Sequence, residues 1–367
     1  MTVEAASSSL DVVVVGGSQA GLAIGYHLAR SGAKFMILDA GPDIGDAWRS
    51  RWDSLKLFTP AQYSGLPGMA FPAPKDTYPL KDDVSSYLRS YASRFDLPVR
   101  LNAKVTSLTK TDGKYLAKTA EDAFSADQVV VATGPFQTPF IPRVIDDPDN
   151  EIFQIHSADY RDPTQLPQGE VLVVGGGNSG YQIADELAAT RNVTLAIGQR
   201  MPSLPQRLLG KDLFWWLSIV GFMKVSTDSR LGRKLATRDV LIGSSARRLK
   251  RSGVTLRTRL SKIQGRRAVF DDGGEAEVDA VVWATGYRSD TAWIDVPGIK
   301  GPDGRIVHRR GVTDAPGLYF IGLPWQHTRG SALIGFVKDD AAFIARRIES
   351  NREHVAAGTA GAHRDGT

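Results

Sequence analysis

The chain has 367 residues, 42% hydrophobic and 23% charged, with a net charge of +5 and no cysteine. That length leaves room for two domains and a sizeable core, while the lack of cysteine excludes disulfides, thiolate metal sites and redox-active Cys-x-x-Cys chemistry. The basic excess gathers between Arg200 and Arg251, in Arg230, Arg233, Lys234, Arg238, Arg247, Arg248, Lys250 and Arg251, with no nucleic-acid-binding motif around it, so a solvated helical face is favoured over a nucleic-acid partner.

The opening MTVEAASSSL lacks the basic flank and apolar stretch of a signal peptide. No apolar run reaches membrane-spanning length, and a cytoplasmic location is expected. From about Leu10 to Ala40 a βαβ unit is predicted: the β-branched run Val12–Val15 for a buried parallel strand, then the turn GGSQAG and a helix. A loop rich in Trp, Arg and Pro follows, from Asp43 to Pro74, too long and aromatic for a mere connector. Asp82 to Phe95 reads as a helix, with short strands near Val105 and Tyr115 and a further strand ending at Gly134. Pro135 to Pro167 reads as a Pro-rich linker between domains. A second unit spans Val171 to Gly286, and Pro316 to Ser350 supplies a last strand, Leu318–Ile321, and a helix.

The two units are copies of one plan. Laid together without a gap, Val12–Asp39 and Val171–Gly198 share strand, turn, helix and second strand, and Asp127–Gly134 is answered by Asp279–Gly286, both strands ending in Ala-Thr-Gly. In each turn the glycines allow a tight bend, and the helix that follows points unpaired N–H groups at a pyrophosphate. Gly175, Gly177 and Gly180 complete G-x-G-x-x-G, whereas the first copy has Gly16, Ser18 and Gly21. Two dinucleotide units in one chain imply electron transfer between two cofactors. The fold expected is α/β, with two Rossmann-like dinucleotide-binding domains: residues 10–160 and 290–350 form one, 165–289 are inserted as the other, and 1–9 and 351–367 are tails.

Trp48-Arg49, Arg51-Trp52-Asp53-Ser54-Leu55, Tyr78-Pro79, both Ala-Thr-Gly ends and His327-Thr328-Arg329 extend the pattern. With them the chain resembles the two-dinucleotide flavin-dependent monooxygenases, the group of flavin-containing monooxygenases, Baeyer–Villiger enzymes and YUCCA-type proteins, from Val12 to about Ile348. It is most similar to the bacterial members. The fingerprint F-x-G-x-x-x-H-x-x-x-(Y/F) is half present: His156 and Tyr160 are kept, but Asn150 and Ile152 replace the phenylalanine and glycine.

The resemblance implies FAD in the first unit, held by Gly16, Ser18, Gly21, Asp39, Trp48, Arg49, Val105, Thr133, Gly134, Gly322 and Ser331. Asp39 at a strand end suits an adenosine ribose, Trp48 and Arg49 a flavin cover, and Ser331 the N-terminus of the last helix beside the reduced ring. The nicotinamide cofactor falls to Gly175, Gly177, Asn178, Ser179, Gly180, Gln199, Arg200, Thr285 and Gly286; Asn178 and Ser179 read equally well as helix N-caps. Gly198 replaces the second acid, with Gln199 and Arg200 after it. NADPH is therefore expected, with weak discrimination that leaves NADH open.

His327 and Asn178 are the candidate catalytic residues, with a packed histidine the alternative for His327. His156 reads as a hinge or as a surface histidine, and His27 as structural. The implied reaction transfers one oxygen atom from O2 through a flavin C4a-(hydro)peroxide to a small sulfide, amine or ketone, without a metal. Two other functions stay open: an NAD(P)H-dependent reductase passing electrons to a quinone or protein, and a non-catalytic redox sensor. The apolar stretch Leu209–Val225 suits a helix packed on the protein or in a homodimer contact more than a membrane interface or substrate mouth.

Overall fold

A computed structural model describes residues 9–145, 152–237 and 240–362, with side chains described up to residue 353; Asn150, Arg238 and the tails before residue 9 and after 362 lie outside it. The chain opens with β1 (Leu10–Val15), α1 (Gln19–Arg30) and β2 (Phe35–Leu38), followed by α2 (Lys81–Arg94). Then come β3 (Val99–Arg100), β4 (Ser107–Thr111), β5 (Lys114–Lys118), β6 (Ala123–Val131) and the short β7 (Thr138–Pro139). The second half brings β8 (Phe153–His156), β9 (Glu170–Val174), α3 (Asn178–Leu187), β10 (Asn192–Ala196) and α4 (Leu213–Ile219). It ends with β11 (Thr255–Arg257), β12 (Ala280–Trp283) and β13 (Tyr287–Arg288). Last are β14 (Ile294–Asp295), β15 (Leu318–Phe320) and α5 (Lys338–Ala362).

The described residues form two main sheets. One runs β14-β4-β5-β6-β1-β2-β3 with β15 added to β6, and the other is all parallel, β11-β10-β9-β12-β8. A central parallel strand is covered on both faces, and the valine runs show it. Val12 and Val14 enter one core cluster while Val13 and Val15 enter another. Val171 and Val173 likewise separate from Leu172 and Val174. Because β14 and β15 join β4 and β6, residues after the second Ala-Thr-Gly return to the first sheet.

Both turns depend on the same close approach. A Cβ on Gly16 would lie 2.6 Å from the Ala132 carbonyl oxygen, and one on Gly175 would lie 2.1 Å from that of Ala284. Their φ angles, +109° and +134°, disfavour a side chain as well. One turn further on, a Cβ at Gly21 or Gly180 would fall 1.8 or 2.0 Å from the carbonyl oxygen of Gly16 or Gly175. Helix, turn and the Ala-Thr-Gly strand end thus lock together identically in both copies.

The halves are joined at several points. β7 and β13, each just past an Ala-Thr-Gly, pair antiparallel, Tyr287 opposite Pro139 and Arg288 opposite Thr138. Gln137 fastens this ribbon, its Nε2 donating to Thr133 Oγ1 at 2.8 Å while its Oε1 accepts from Asp290 N at 2.6 Å. The aromatic loop is a strut. Trp48 packs on the first half's core, but Trp52 is buried in the second half's core with Tyr160 and Tyr181. The segment read as a Pro-rich linker therefore contains β7 and β8, the latter an edge strand of the second sheet.

Leu209–Val225 is not one helix. A two-stranded hairpin (Arg207–Leu208 with Lys211–Asp212) leads into α4, and a 3-10 turn, Phe222–Lys224, follows. Asp212, itself buried, caps α4 by accepting from Phe214 N at 2.7 Å and also accepts from Tyr78. Gly210 and Gly221, both at positive φ, break the periodicity on either side. Leu213, Phe214 and Met223 are buried, while Leu209, Ile219 and Val220 are exposed. The basic side chains of 230–236 and 246–251 are exposed on short helices.

Gly180→Ala should push α3 off the turn carbonyl and destabilise the protein by about 2 kcal/mol, as overpacking does. Gly177→Ala, where no atom lies within 4 Å of the added Cβ, should cost only about 0.5 kcal/mol, for the poorer N-cap, in the same thermal or urea melt. Equal melting of the two variants would contradict this account of the turn.

Candidate active site

In the first turn Asp39 accepts from the N–H of Gly17 with Oδ2 and from that of Gly41 with Oδ1 at 2.8 Å. Each carboxylate oxygen keeps a further lone pair, and the side chain is half-buried beside the turn, as a ribose-binding acid must be. Ser18 is the N-cap of α1 at φ −86°, a conformation shared by its counterpart Gly177. A serine is therefore tolerated there without strain, and its hydroxyl donates to Gln19 Oε1 at 2.6 Å. Trp48 Nε1 donates to the same Oε1 at 3.0 Å, which brings the aromatic loop to the start of α1.

Arg49 is held by protein groups, Asp43 at 3.0 Å and Ser85 Oγ at 2.8 Å. Gly134 has positive φ and nothing near its Cβ direction, and a Cβ on Gly322, just past β15, would lie 2.9 Å from Ala20 Cβ at the helix start. Val105 is buried in the core on the opposite face. Arg49 and Val105 are thus placed where protein packing already explains them.

The second turn fits a dinucleotide phosphate in the same way: open space around Gly177 lets a ligand approach the backbone, and α3 begins immediately after it. Gly177 is the N-cap, which corrects the reading of Asn178 and Ser179 as caps. Asn178 is instead the first helical residue and its Oδ1 accepts from Ile242 N at 3.2 Å, tying α3 to the segment beyond α4. Gln199 and Arg200 are exposed at the end of β10.

A residue that the sequence reading missed stands there too. The Arg259 guanidinium carbon is 3.2 Å from where a Gly198 Cβ would lie, and its partner Asp271 is 3.9 Å away. β11 pairs with β10 so that Arg257 faces Ala196, which puts residues 198 and 259, each two past their strand, side by side. No local motif carries that register.

His156 is buried, which overturns the surface reading. Its Nδ1 accepts from Ala158 N at 3.0 Å, so Nε2 must carry the proton it shares with the Gly286 carbonyl at 3.1 Å. Burial holds its pKa below the ordinary imidazole value, with Arg51 adding to the effect against Gly286 and Asp159. Arg51, from the strut, bonds Tyr287 through its guanidinium and lies over the Phe136 and Tyr287 rings at 5.4 and 5.3 Å. Thr285 Oγ1 donates to Phe140 O, and Gly286 O accepts from Phe140 N at 3.0 Å. The second Ala-Thr-Gly is therefore gripped by the ribbon, the strut and β8 together.

The loop between β15 and α5 carries His327. Its Nδ1 meets Ser226 Oγ at 3.2 Å and its carbonyl accepts from Thr227 N at 2.8 Å. Burial and Arg310 lower its pKa, opposed by Asp340 and Asp228. His327 is thus a neutral pin holding the loop to the segment after α4. Ser331 does not open the last helix. It sits in a 3-10 turn, Arg329–Ala332, where its hydroxyl accepts from the N–H groups of His327 and Thr328 at 3.1 and 3.0 Å. α5 starts later, at Lys338, with Asp339 and Asp340 in its first turn to answer the helix dipole.

Residues 13–206 match the family of pyridine nucleotide-disulphide oxidoreductases. The chain belongs to that family. Among similar proteins, an uncharacterized CzcO-like oxidoreductase of Geobacillus kaustophilus is 44% identical, covering 92% of this chain and 98% of the relative. The probable indole-3-pyruvate monooxygenase YUCCA1 of Arabidopsis thaliana is 26% identical, with 92% and 89% covered. Among solved structures, the flavin-containing monooxygenase of Stenotrophomonas maltophilia superposes with a TM-score of 0.79 at 28% identity, covering 94% of this chain and 99% of that one. The chain is an oxidoreductase with the two-unit Rossmann-like α/β fold of the flavoprotein monooxygenases, a likeness that implies a flavin and a nicotinamide cofactor.

Burial lowers the pKa of His27, His156, His308 and His327. Below about pH 6.5 the unfolded chain takes up protons that the native histidines refuse. Stability should therefore fall as pH drops from about 7 through the lowered native values. Urea midpoints at pH 7.5 and 5.5 measure this, and His156→Gln should shrink the difference. An unchanged pH slope in that variant would show that His156 is not among the linked groups.

Proposed function

We propose that the protein is an FAD-dependent monooxygenase that uses NADPH and O2 to place one oxygen atom on a small organic substrate, the other atom leaving as water. The observation that carries this reading is the pair of glycine turns with matching backbone contacts in a chain without cysteine. Two cofactors suit the two turns, and a thiol relay of the disulphide-reductase branch has no residue to run through. When bound, FAD reduced by NADPH supplies the oxygen-transfer chemistry. FAD is assigned to the first half through Gly16, Ser18, Gly21, Asp39, Gly134 and Gly322, and NADPH to the second through Gly175, Gly177, Gly180 and Gly286.

The chain's own residues then have distinct tasks. Gly177 leaves backbone N–H groups open to a pyrophosphate. Asp39 and the Trp48–Gln19 contact position the first cofactor's ribose and the loop beside it. Arg51, His156 and the β7–β13 ribbon fix the second Ala-Thr-Gly turn relative to the first half. His327 and Asn178 act as positioning residues: each anchors the segment after α4, one from either half.

NADPH is favoured over NADH by the same geometry. Gly198 presents no carboxylate, and Arg259 with Arg200 offers cations where a 2′-phosphate would lie. Arg259→Ala should weaken NADP+ binding about tenfold in calorimetry and leave NAD+ binding nearly unchanged. Equal loss for both nucleotides would remove Arg259 from 2′-phosphate recognition.

Turnover under 18O2 tests the reaction. Label in the product and in water, with one NADPH consumed per product, is expected. Hydrogen peroxide released one per NADPH in air, and replaced by quinol when a quinone is supplied, would make it a reductase. Failure to oxidise NADPH over a panel of sulfides, amines and ketones would leave a redox sensor.

A further inference from the structure

Large hydrophobic side chains scattered singly over a surface carry no message, but here they gather. Among the described residues, five of the ten that are exposed fall in one short segment: Leu208, Leu209, Ile219, Val220 and Leu231. Four of these form one patch. The Trp216 indole donates to the Leu208 carbonyl at 2.9 Å, which lays α4 against the hairpin before it. Ile219 and Val220 follow Trp216 by three and four residues, so they continue its side of the helix. Leu213 and Phe214 take another side and are buried. Trp215 meets Trp216 edge to face at 4.7 Å, both partly exposed.

The hairpin tip singles out one residue. Leu209 and Gly210 lie between the paired Leu208 and Lys211, and both have positive φ, +50° and +76°. Such a turn favours Asn-Gly or Asp-Gly, because a leucine in the left-handed region sets its Cβ against the following carbonyl oxygen. Leu209 is nonetheless 83% exposed, so little packing within the protein offsets either the strain or the apolar surface. Cations flank it. Arg207 folds back to donate to the Gly210 carbonyl at 2.9 Å, and Lys211 Nζ lies 5.7 Å from the Trp215 ring centroid. Lys224, Arg230, Arg233 and Lys234 follow, all exposed. Of the two acids in this stretch, Asp212 is buried and Asp228 stands 3.7 Å from Arg309.

We propose that the hairpin tip and the adjoining side of α4 dock on an anionic phospholipid surface. Leu208, Leu209, Ile219 and Val220 enter the acyl boundary, the two indoles lie at headgroup depth, and Arg207 and Lys211 meet the phosphates. No described helix is long and apolar enough to cross a membrane, and the docking engages one leaflet only. A second copy of the chain fits this patch less well, because a two-fold contact sets the same cations against one another. A protein partner needs a pocket cut to Leu209, whereas an acyl layer accepts it without one.

The full chain, as purified, is floated with vesicles of phosphatidylcholine alone or with about one third phosphatidylglycerol. Binding should be at least tenfold tighter to the anionic vesicles and should weaken at least tenfold in high salt, which screens the headgroup charge. Leu209→Asn is the deciding variant. It relieves the turn, so its melting temperature should equal or exceed that of the unsubstituted chain, while its affinity for anionic vesicles should drop about tenfold. A leucine needed only for folding would give the opposite change in stability. Ile219→Gln, on the exposed side of α4, should lose vesicle affinity in the same direction. No flotation, equal binding to both kinds of vesicle, or unchanged affinity in either stable variant would overturn the docking surface. Concentration-dependent dimerisation without lipid, abolished by Leu209→Asn, would assign the patch to a second copy and overturn it too.

Discussion

The structure depends on a contact that only a missing side chain permits. At Gly16 and Gly175 the first strand's turn presses against the carbonyl of the strand that ends in Ala-Thr-Gly, at distances a Cβ could not share. That contact sets where each helix begins, and so where its free N–H groups collect. It also leaves the space beside Gly177 clear, while Ser18 holds the matching place in the first turn without strain. Helix placement and cofactor fit both follow from that one approach.

Around this core the chain spends its polar residues on fixing parts relative to one another. His156 and His327 are each neutral, half or fully enclosed, and bonded at a ring nitrogen to a segment distant in sequence. Arg51 and Gln137 bridge to residues just past the second Ala-Thr-Gly. Oxygen transfer by a bound flavin asks for geometry and exclusion of water more than for an acid or base. A junction built from pins and struts agrees with that demand.

Both Rossmann-like units were legible in the sequence because their signals are local. The valine runs, the glycine spacing and the repeated Ala-Thr-Gly each reside within a few residues, and the duplication supplied a second copy against which to check them. What escaped depends on register between distant segments. Arg259 reaches Gly198 only because β11 pairs with β10 at one particular offset, and Trp52 enters the second core only because the strut crosses over. Ser331 stands apart from the last helix because a 3-10 turn, Arg329–Ala332, precedes it, with Gly335 as the breaker between that turn and Lys338. The apolar stretch misled in the opposite sense: its hydrophobicity suggested one long helix, while Gly210 and Gly221 at positive φ divide it.

The ribbon of β7 and β13 has a consequence for how the inserted half is attached. The chain leaves the first half and comes back to it along neighbouring, hydrogen-bonded paths. A module whose two ends are stitched together in this way enters and leaves at one seam, to which the Trp52 strut and the His327 pin add further joins. Whatever the inserted half carries thus travels with that seam, while the sheet that receives it keeps its own strand order.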